Sequence, residues 1–286
     1  MKRGFYLVLA TALVSGVSIF LNKFAVQGLD PYFFSFSKNV LVAVFLFSML
    51  LLMREWADLK SLRFKQWLQL LIIGLVGGSV PFLLFFKGLQ LTSAASASFV
   101  HKSMFVFVAV LAAVFLKERI SLKFLAGAVL LFVGNLLLVN FAWGFDFGAL
   151  LVLGATVLWA VENTLSKYVL RELSSRVVAF GRMFFGSLFI LIFLFATGGV
   201  SQVSMSLAHL KWVLFTSILL LLYAATWYEG LRSINVSTAT CILLLGSVVT
   251  SLLQLFGGVV PSFAQAAGMV LLVVGVLAVS RQPVLS

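Results

Sequence analysis

Residues 127–134 read GAVLLFVG, and residues 268–275 read GMVLLVVG. Six of the eight positions are identical at an offset of 141, and glycine frames both copies. Neither stretch alternates polar with apolar, as a strand of a membrane barrel would, so each reads as the middle of an apolar helix. Upstream of the two copies, Lys87-Gly88-Leu89 meets Glu229-Gly230-Leu231 at an offset of 142, and Lys23 with Lys167 and Lys38 with Arg182 both meet at 144. A drift of three residues across half the chain is what small loop insertions produce. The 286 residues therefore read as a duplication.

What surrounds the two copies is just as apolar. Hydrophobic residues make up 63% of the chain and charged residues 10%, with a mean hydropathy of +1.18. A soluble domain is roughly 45–50% apolar and about 25% charged. A chain this apolar could not cover a water-facing surface, and its composition is the opposite of a disordered one. A disulfide framework is excluded because Cys241 is the single cysteine, set in an apolar run where packing is its expected role.

A bilayer core of about 30 Å needs roughly 20 apolar residues per helix. Ten such runs are predicted, at 4–26, 33–53, 67–86, 93–116, 122–141, 147–169, 177–197, 210–230, 236–257 and 263–280. Their joints include QGLDP at 27–31, the charged stretch from Arg54 to Gln66, KERIS at 117–121 and FAWGFD at 141–146. The first run follows Lys2-Arg3 but is too long for the roughly 7–15 residues of a signal peptide, and it carries Asn22 and Lys23 near its end, so it reads as a retained span. With the N-terminus in the cytoplasm, 13 basic residues fall on inner segments and only Lys87 and Lys211 on outer ones. The positive-inside rule then puts both termini in the cytoplasm. The net charge of +12 is mostly this topological signal, and without a clustered basic face it does not imply a nucleic-acid partner. No transit peptide precedes the first span, which leads to the expectation of a bacterial or archaeal inner (plasma) membrane.

Five spans per copy is an odd number, so the copies must face opposite ways. The expected fold is an all-α integral membrane protein of ten transmembrane helices in two inverted repeats, residues 4–141 and 147–280. In that architecture a solute site lies near the bilayer midplane, between the repeats.

This organisation resembles the EamA family of the drug/metabolite transporter superfamily over about residues 5–280. The resemblance is carried by the basic residue early in the second helix of each half (Lys38, Arg182), by Lys117-Glu118-Arg119 closing the fourth, and by the glycine-framed fifth. Trp159-Ala160 is similar to the small or aromatic pair of the family's first helix. The chain departs from symmetry where Val260 stands opposite Glu118, and where Ser15-Gly16 replaces the tryptophan pair. The resemblance implies transport of small organic solutes, often amino acids or related metabolites and frequently outward.

Independently of the family, each ionisable residue at bilayer depth costs about 2.5–3.5 kcal/mol on insertion scales and invites a functional explanation. Lys23 and Lys167 lie within a turn of their helix ends and are expected to snorkel to the interface. Lys102 is the tenth residue of its predicted span, about 14 Å in, so it is expected to line the substrate path or to pair with an acid. His101 beside it is either a proton carrier or a hydrogen-bonded packing residue. Glu162 and Arg182 share the inner third, where they either pair or face a cavity separately, Arg182 holding a carboxylate by its planar fork and Glu162 an ammonium or a proton. Lys38 has no acid opposite it and is read as open to an anion. The substrate-binding set is therefore Lys38, Lys102, Trp159 and Arg182, with Trp159 a stacking surface, and the proton-coupling set is Glu162 and His101. Trp227 and Tyr228 read as an interfacial belt, and Gly74 and Gly78 as a close-packing pair.

The surplus of buried positive charge favours an anionic or zwitterionic solute, which supplies the missing counter-charge. Cation or multidrug export through Glu162, and flipping of a lipid-linked substrate, are the alternatives. An embedded enzyme is disfavoured: Asp30, Asp58 and Asp146 are scattered, no HExxH is present, and no Walker motif couples ATP. No cofactor or metal is implied, and a monomer or weak homodimer is the expected assembly.

Overall fold

A computed structural model describes residues 2–25, 30–92, 94–139, 146–199 and 206–280. The joint FAWGFD up to Phe145, the side chain of Lys23 and Arg281 lie outside the described residues. All regular structure among the described residues is helical. The first two spans are α1 (Lys2–Ala25) and α2 (Pro31–Leu52), followed by the short α3 (Trp56–Lys60). The third span is α4 (Phe64–Ile73), a π-helical stretch (Gly74–Ser79) and α5 (Val80–Leu91). The fourth is α6 (Ala94–Lys102) with α7 (Met104–Phe115), and the fifth is α8 (Leu122–Val139). Then come α9 (Phe147–Val169), α10 (Ser175–Ala196), α11 (Leu207–Ser233), the pair α12 (Val236–Leu243) and α13 (Leu245–Gln254), and α14 (Phe263–Ser280). Nine of these helical segments are long and apolar enough to cross a bilayer, and Leu122–Leu138 forms a shorter apolar helix.

Helix starts are set by local chemistry. Asp30 accepts a hydrogen bond from Phe33 N–H at 2.7 Å ahead of Pro31, Asp146 from Ala149 N–H at 2.7 Å, and Ser174 from Val177 N–H at 3.3 Å. Each satisfies donors that a helix leaves open at its first turn, and that a bilayer would leave unpaired. The fourth span breaks at Ser103 and the ninth at Leu244.

The packing pairs remote parts of the chain. α8 lies antiparallel against α14 through the two glycine-framed stretches. A Cβ added at Gly134 would stand 3.0 Å from the carbonyl oxygen of Gly268, and one at Gly275 would stand 3.1 Å from that of Gly127. α1 meets α11 where Gly4 faces Gly230, and α5 meets α9 where Gly88 faces Gly148. With no Cβ in the way the backbones close up, and dispersion contacts supply the attraction that water does not provide in lipid. The polarity is inside out. Val110, Val129, Ile192 and Val270 are exposed, while Lys38, Asn39, Glu162, Asn163 and Arg182 are buried.

Candidate functional site

The third span carries Gly77-Gly78-Ser79-Val80-Pro81 at its centre. In a regular helix the Gly77 carbonyl would bond to the N–H of residue 81, but Pro81 has none. The backbone leaves α geometry there, with Ser79 at φ −132° and ψ −79°. The freed Gly77 carbonyl accepts instead from Trp159 Nε1 at 3.0 Å and from Arg182 Nη2 at 3.1 Å. The Gly78 carbonyl accepts from Asn39 Nδ2 at 2.8 Å. A local break in one helix thus becomes the meeting point of α2, α9 and α10.

Glu162, 2% exposed, lies against this break. Its Oε1 accepts from Tyr228 Oη at 2.7 Å and from Ser166 Oγ at 2.6 Å. Its Oε2 stands 4.0 Å from Nε of Arg182, which is buried and has no hydrogen-bond partner among the described residues. Glu162 and Arg182 are therefore neighbours, and each makes its hydrogen bonds to other groups. The Arg182 guanidinium carbon also lies 5.9 Å from the Phe82 ring centroid. Next to Glu162 on α9, Asn163 joins Trp227 Nε1 at 3.1 Å to Met104 Sδ at 3.5 Å.

Trp159 also closes an aromatic group. Its ring centroid is 4.9 Å from that of His101, 5.4 Å from Phe82 and 5.5 Å from Phe85. His101 meets Trp159 and Phe85 edge-on, and its Nδ1 is buried without a partner among the described residues. Lys102, 9% exposed, ends α6 at the break of the fourth span and has no hydrogen bond or ion pair among the described residues. Lys38 stands apart from this group. It donates to Asn22 Oδ1 at 3.0 Å and lies 4.8 Å from the Phe34 ring centroid. A separate cavity of about 260 Å³ opens between α1, α2, α10 and α11 among Arg3, Arg176, Glu229 and Arg232. Ala179 on its wall is one helical turn from Arg182.

Two expectations are corrected. Trp227 and Tyr228 are not an interfacial belt. They are 1% and 0% exposed and bind the Asn163 and Glu162 side chains. Lys167 does not snorkel outward. Its Nζ donates to the carbonyls of Leu231 at 2.7 Å and Ile234 at 2.8 Å, at the end of α11. For both helix ends the distance along the membrane normal was readable, but the side of the helix facing the bundle was not.

A polar core inside an apolar multi-pass bundle, built around a broken helix and buried charges, defines a membrane transport protein. The comparisons name the group: the chain belongs to the EamA-like transporter family, whose model matches residues 2–140 and 146–281. It is 25% identical to an uncharacterized transporter of Archaeoglobus fulgidus over 280 residues, covering 95% of each. It is 24% identical to the uncharacterized transporter YyaM of Bacillus subtilis, covering 96% of this chain and 93% of the relative. It is also 26% identical, over 62% of this chain, to the uncharacterized inner membrane transporter YhbE of Escherichia coli. A solved crystal structure shares the fold at a TM-score of 0.82 and 19% identity, covering 98% of this chain and 97% of that one. The protein is a transporter that works on a small solute within a lipid bilayer.

Proposed function

We propose that this multi-pass protein of the cell membrane is a secondary transporter that exports small carboxylate-bearing metabolites, amino acids among them, by alternating access. The observation that carries the reading is the buried charge. Among the described residues Lys38, Lys102 and Arg182 are all buried, against one buried acid, Glu162, and Lys102 has no hydrogen bond or ion pair. An uncompensated cation in a bilayer needs a counter-charge, and a solute carboxylate supplies it. Arg182 and Lys102 are the proposed anion contacts, Trp159 and its ring neighbours the apolar wall, and Glu162 with His101 the proton carriers.

Two inverted five-helix repeats, residues 4–141 and 147–280 with both termini cytoplasmic, give this reading its mechanics. Several pairings support the symmetry. Gly4 against Gly230 and Gly88 against Gly148 exchange with one another under offsets of 144 and 142. The helix breaks at Ser103 and Leu244 are 141 residues apart, as are the left-handed residues Lys117 (φ 59°) and Gly258 (φ 77°).

The test is a thermal-shift screen of the purified protein against carboxylates, amino acids, phosphorylated metabolites and organic cations. A ligand at 100 times its dissociation constant adds about 2.7 kcal/mol of stability. Stabilisation by anions or zwitterions that disappears in Lys102→Ala is the expected result. Stabilisation by cations alone, lost in Glu162→Gln, would reverse the charge argument and make the protein a cation exporter.

A further inference from the structure

The joint between α11 and α12 is held from both sides by charges that other spans supply. Lys167 of α9 donates to the carbonyls of Leu231 and Ile234, where the negative end of α11 lies. Glu118, just after α7, takes the open donors of α12: Val236 N–H at 2.8 Å, Ser237 N–H at 3.3 Å and Ser237 Oγ at 2.5 Å. A cation at a helix C-terminus and an anion at an N-terminus are the favourable placements for the backbone dipoles. Lys117 holds a left-handed backbone (φ 59°) that a lysine rarely adopts, and this turns Glu118 toward α12. At this face α7 packs on α12, whereas at the other end of the same two spans α6 and α13 make at most marginal contact among the described residues.

The opposite face has no acid at the position that corresponds to Glu118. Gly258 takes the left-handed position 141 residues after Lys117, but Val259 and Val260 follow it where Glu118 follows Lys117. A Cβ built at Gly258 would meet no described atom within 4 Å, and a valine side chain cannot accept a hydrogen bond from a helix start.

We propose that Glu118 and Lys167 are positioning residues of the transport cycle. They form a latch at the Lys/Arg-rich face in which Glu118 ties the fourth span to the start of the ninth and Lys167 ties the sixth to the joint before it, and the latch must release for that face to open. Because the opposite face carries valines where the acid of the latch would stand, the resting protein favours the state closed at the Glu118 end. The inference rests on the alternating-access reading above and adds a built-in bias to it. It does not depend on which solute is carried.

The experiment measures distances by electron spin resonance in lipid nanodiscs, without substrate, in a Cys241→Ala background. One label pair, Arg119→Cys with Arg232→Cys, reports the latched face. A second, Leu91→Cys with Phe256→Cys, reports the opposite face. In the protein with Glu118 intact, the first pair is expected mostly at its short distance. Glu118→Gln should raise the long-distance population of that pair roughly tenfold or more, since it replaces charged hydrogen bonds with weaker ones, and should shorten the second pair reciprocally. Glu118→Asp and Lys167→Gln should give intermediate shifts, and they carry the test if Glu118→Gln does not fold. Two populations that no folded variant changes would overturn the latch and leave alternating access standing. A single distance in every protein, with or without the transported solutes, would overturn both.

Discussion

At Gly77 there is no room for a side chain. A Cβ there would stand 2.2 Å from Cγ of Glu162 and 3.1 Å from Nε of Arg182. Gly77→Ala is expected to displace Glu162, cost about 1–3 kcal/mol as overpacking does and abolish transport. Melting temperature and uptake into proteoliposomes check this, and a variant unchanged in both would contradict the packing around the break. At the membrane surface the hydrogen bonds from Arg176, reinforced by its charge, hold the Glu55 carboxyl below its ordinary value. A depressed carboxylate stabilises the folded state above its unfolded pKa and loses that contribution as pH falls through its folded one. The stability gap between the parent and Glu55→Gln, a few tenths to about 1 kcal/mol for so exposed a pair, should therefore shrink below about pH 4. Unfolding in denaturant from pH 3 to 7 measures it, and a gap that widens on acidification would contradict the assignment. Intramembrane charge singled out Glu162 and Arg182, because an ionisable group in an apolar run stands out on composition alone. Tyr228 and Ser166, which donate to Glu162, did not stand out. A tyrosine near a span end reads as an interface residue, and only the rotation of α11 about its axis turns it onto Glu162.

The broken third span is an element whose geometry follows from one residue type in one place. Pro81→Ala restores the N–H that the Gly77 carbonyl lacks, so the helix should straighten and compete with Trp159 and Arg182 for that carbonyl. Stability is expected to change little, because Pro81 sits in the first turn of α5, where proline is tolerated, while transport falls. A variant that transports normally would show that the break is dispensable. The signal for this break, Gly-Gly-Ser-Val-Pro, lies in the sequence, although hydropathy alone reads 67–86 as one unbroken span. The breaks at Ser103 and Leu244 have no such signal, since HKSM and LLLG carry no proline at the break itself. Tertiary packing makes those breaks, and a single helix's sequence does not encode what its neighbours require.

For the molecule as a whole, the glycine-framed stretches first noted as a repeated string turn out to touch each other. Gly134 and Gly268 abut reciprocally, with a Cβ at Gly268 falling 2.7 Å from the Gly134 carbonyl oxygen. Gly134→Leu and Gly268→Leu should each cost about 1–3 kcal/mol by forcing α8 and α14 apart. The double variant should cost clearly less than their sum, because one separation accommodates both side chains. Thermal melts of the three variants give the coupling, and additive losses would mean the two positions are independent. The multi-pass helical outline and the apolar exterior were legible because they rest on composition and period, and the family because particular residues, such as Lys117-Glu118-Arg119 and the glycine-framed helix, carry the resemblance. Which spans pair across the bundle was not legible, since a 3.6-residue period fixes a helix without naming its neighbour.

The surplus of buried cations also has an electrical consequence. Each elementary charge carried through 100 mV of membrane potential exchanges about 2.3 kcal/mol. If rocking moves Lys38, Lys102 and Arg182 through a tenth of a field of about 150 mV, each charge they retain tilts the equilibrium by about 0.3 kcal/mol. The empty carrier would then respond to voltage, and a bound monoanion would blunt that response. Cargo and membrane potential would act on the same step of the cycle.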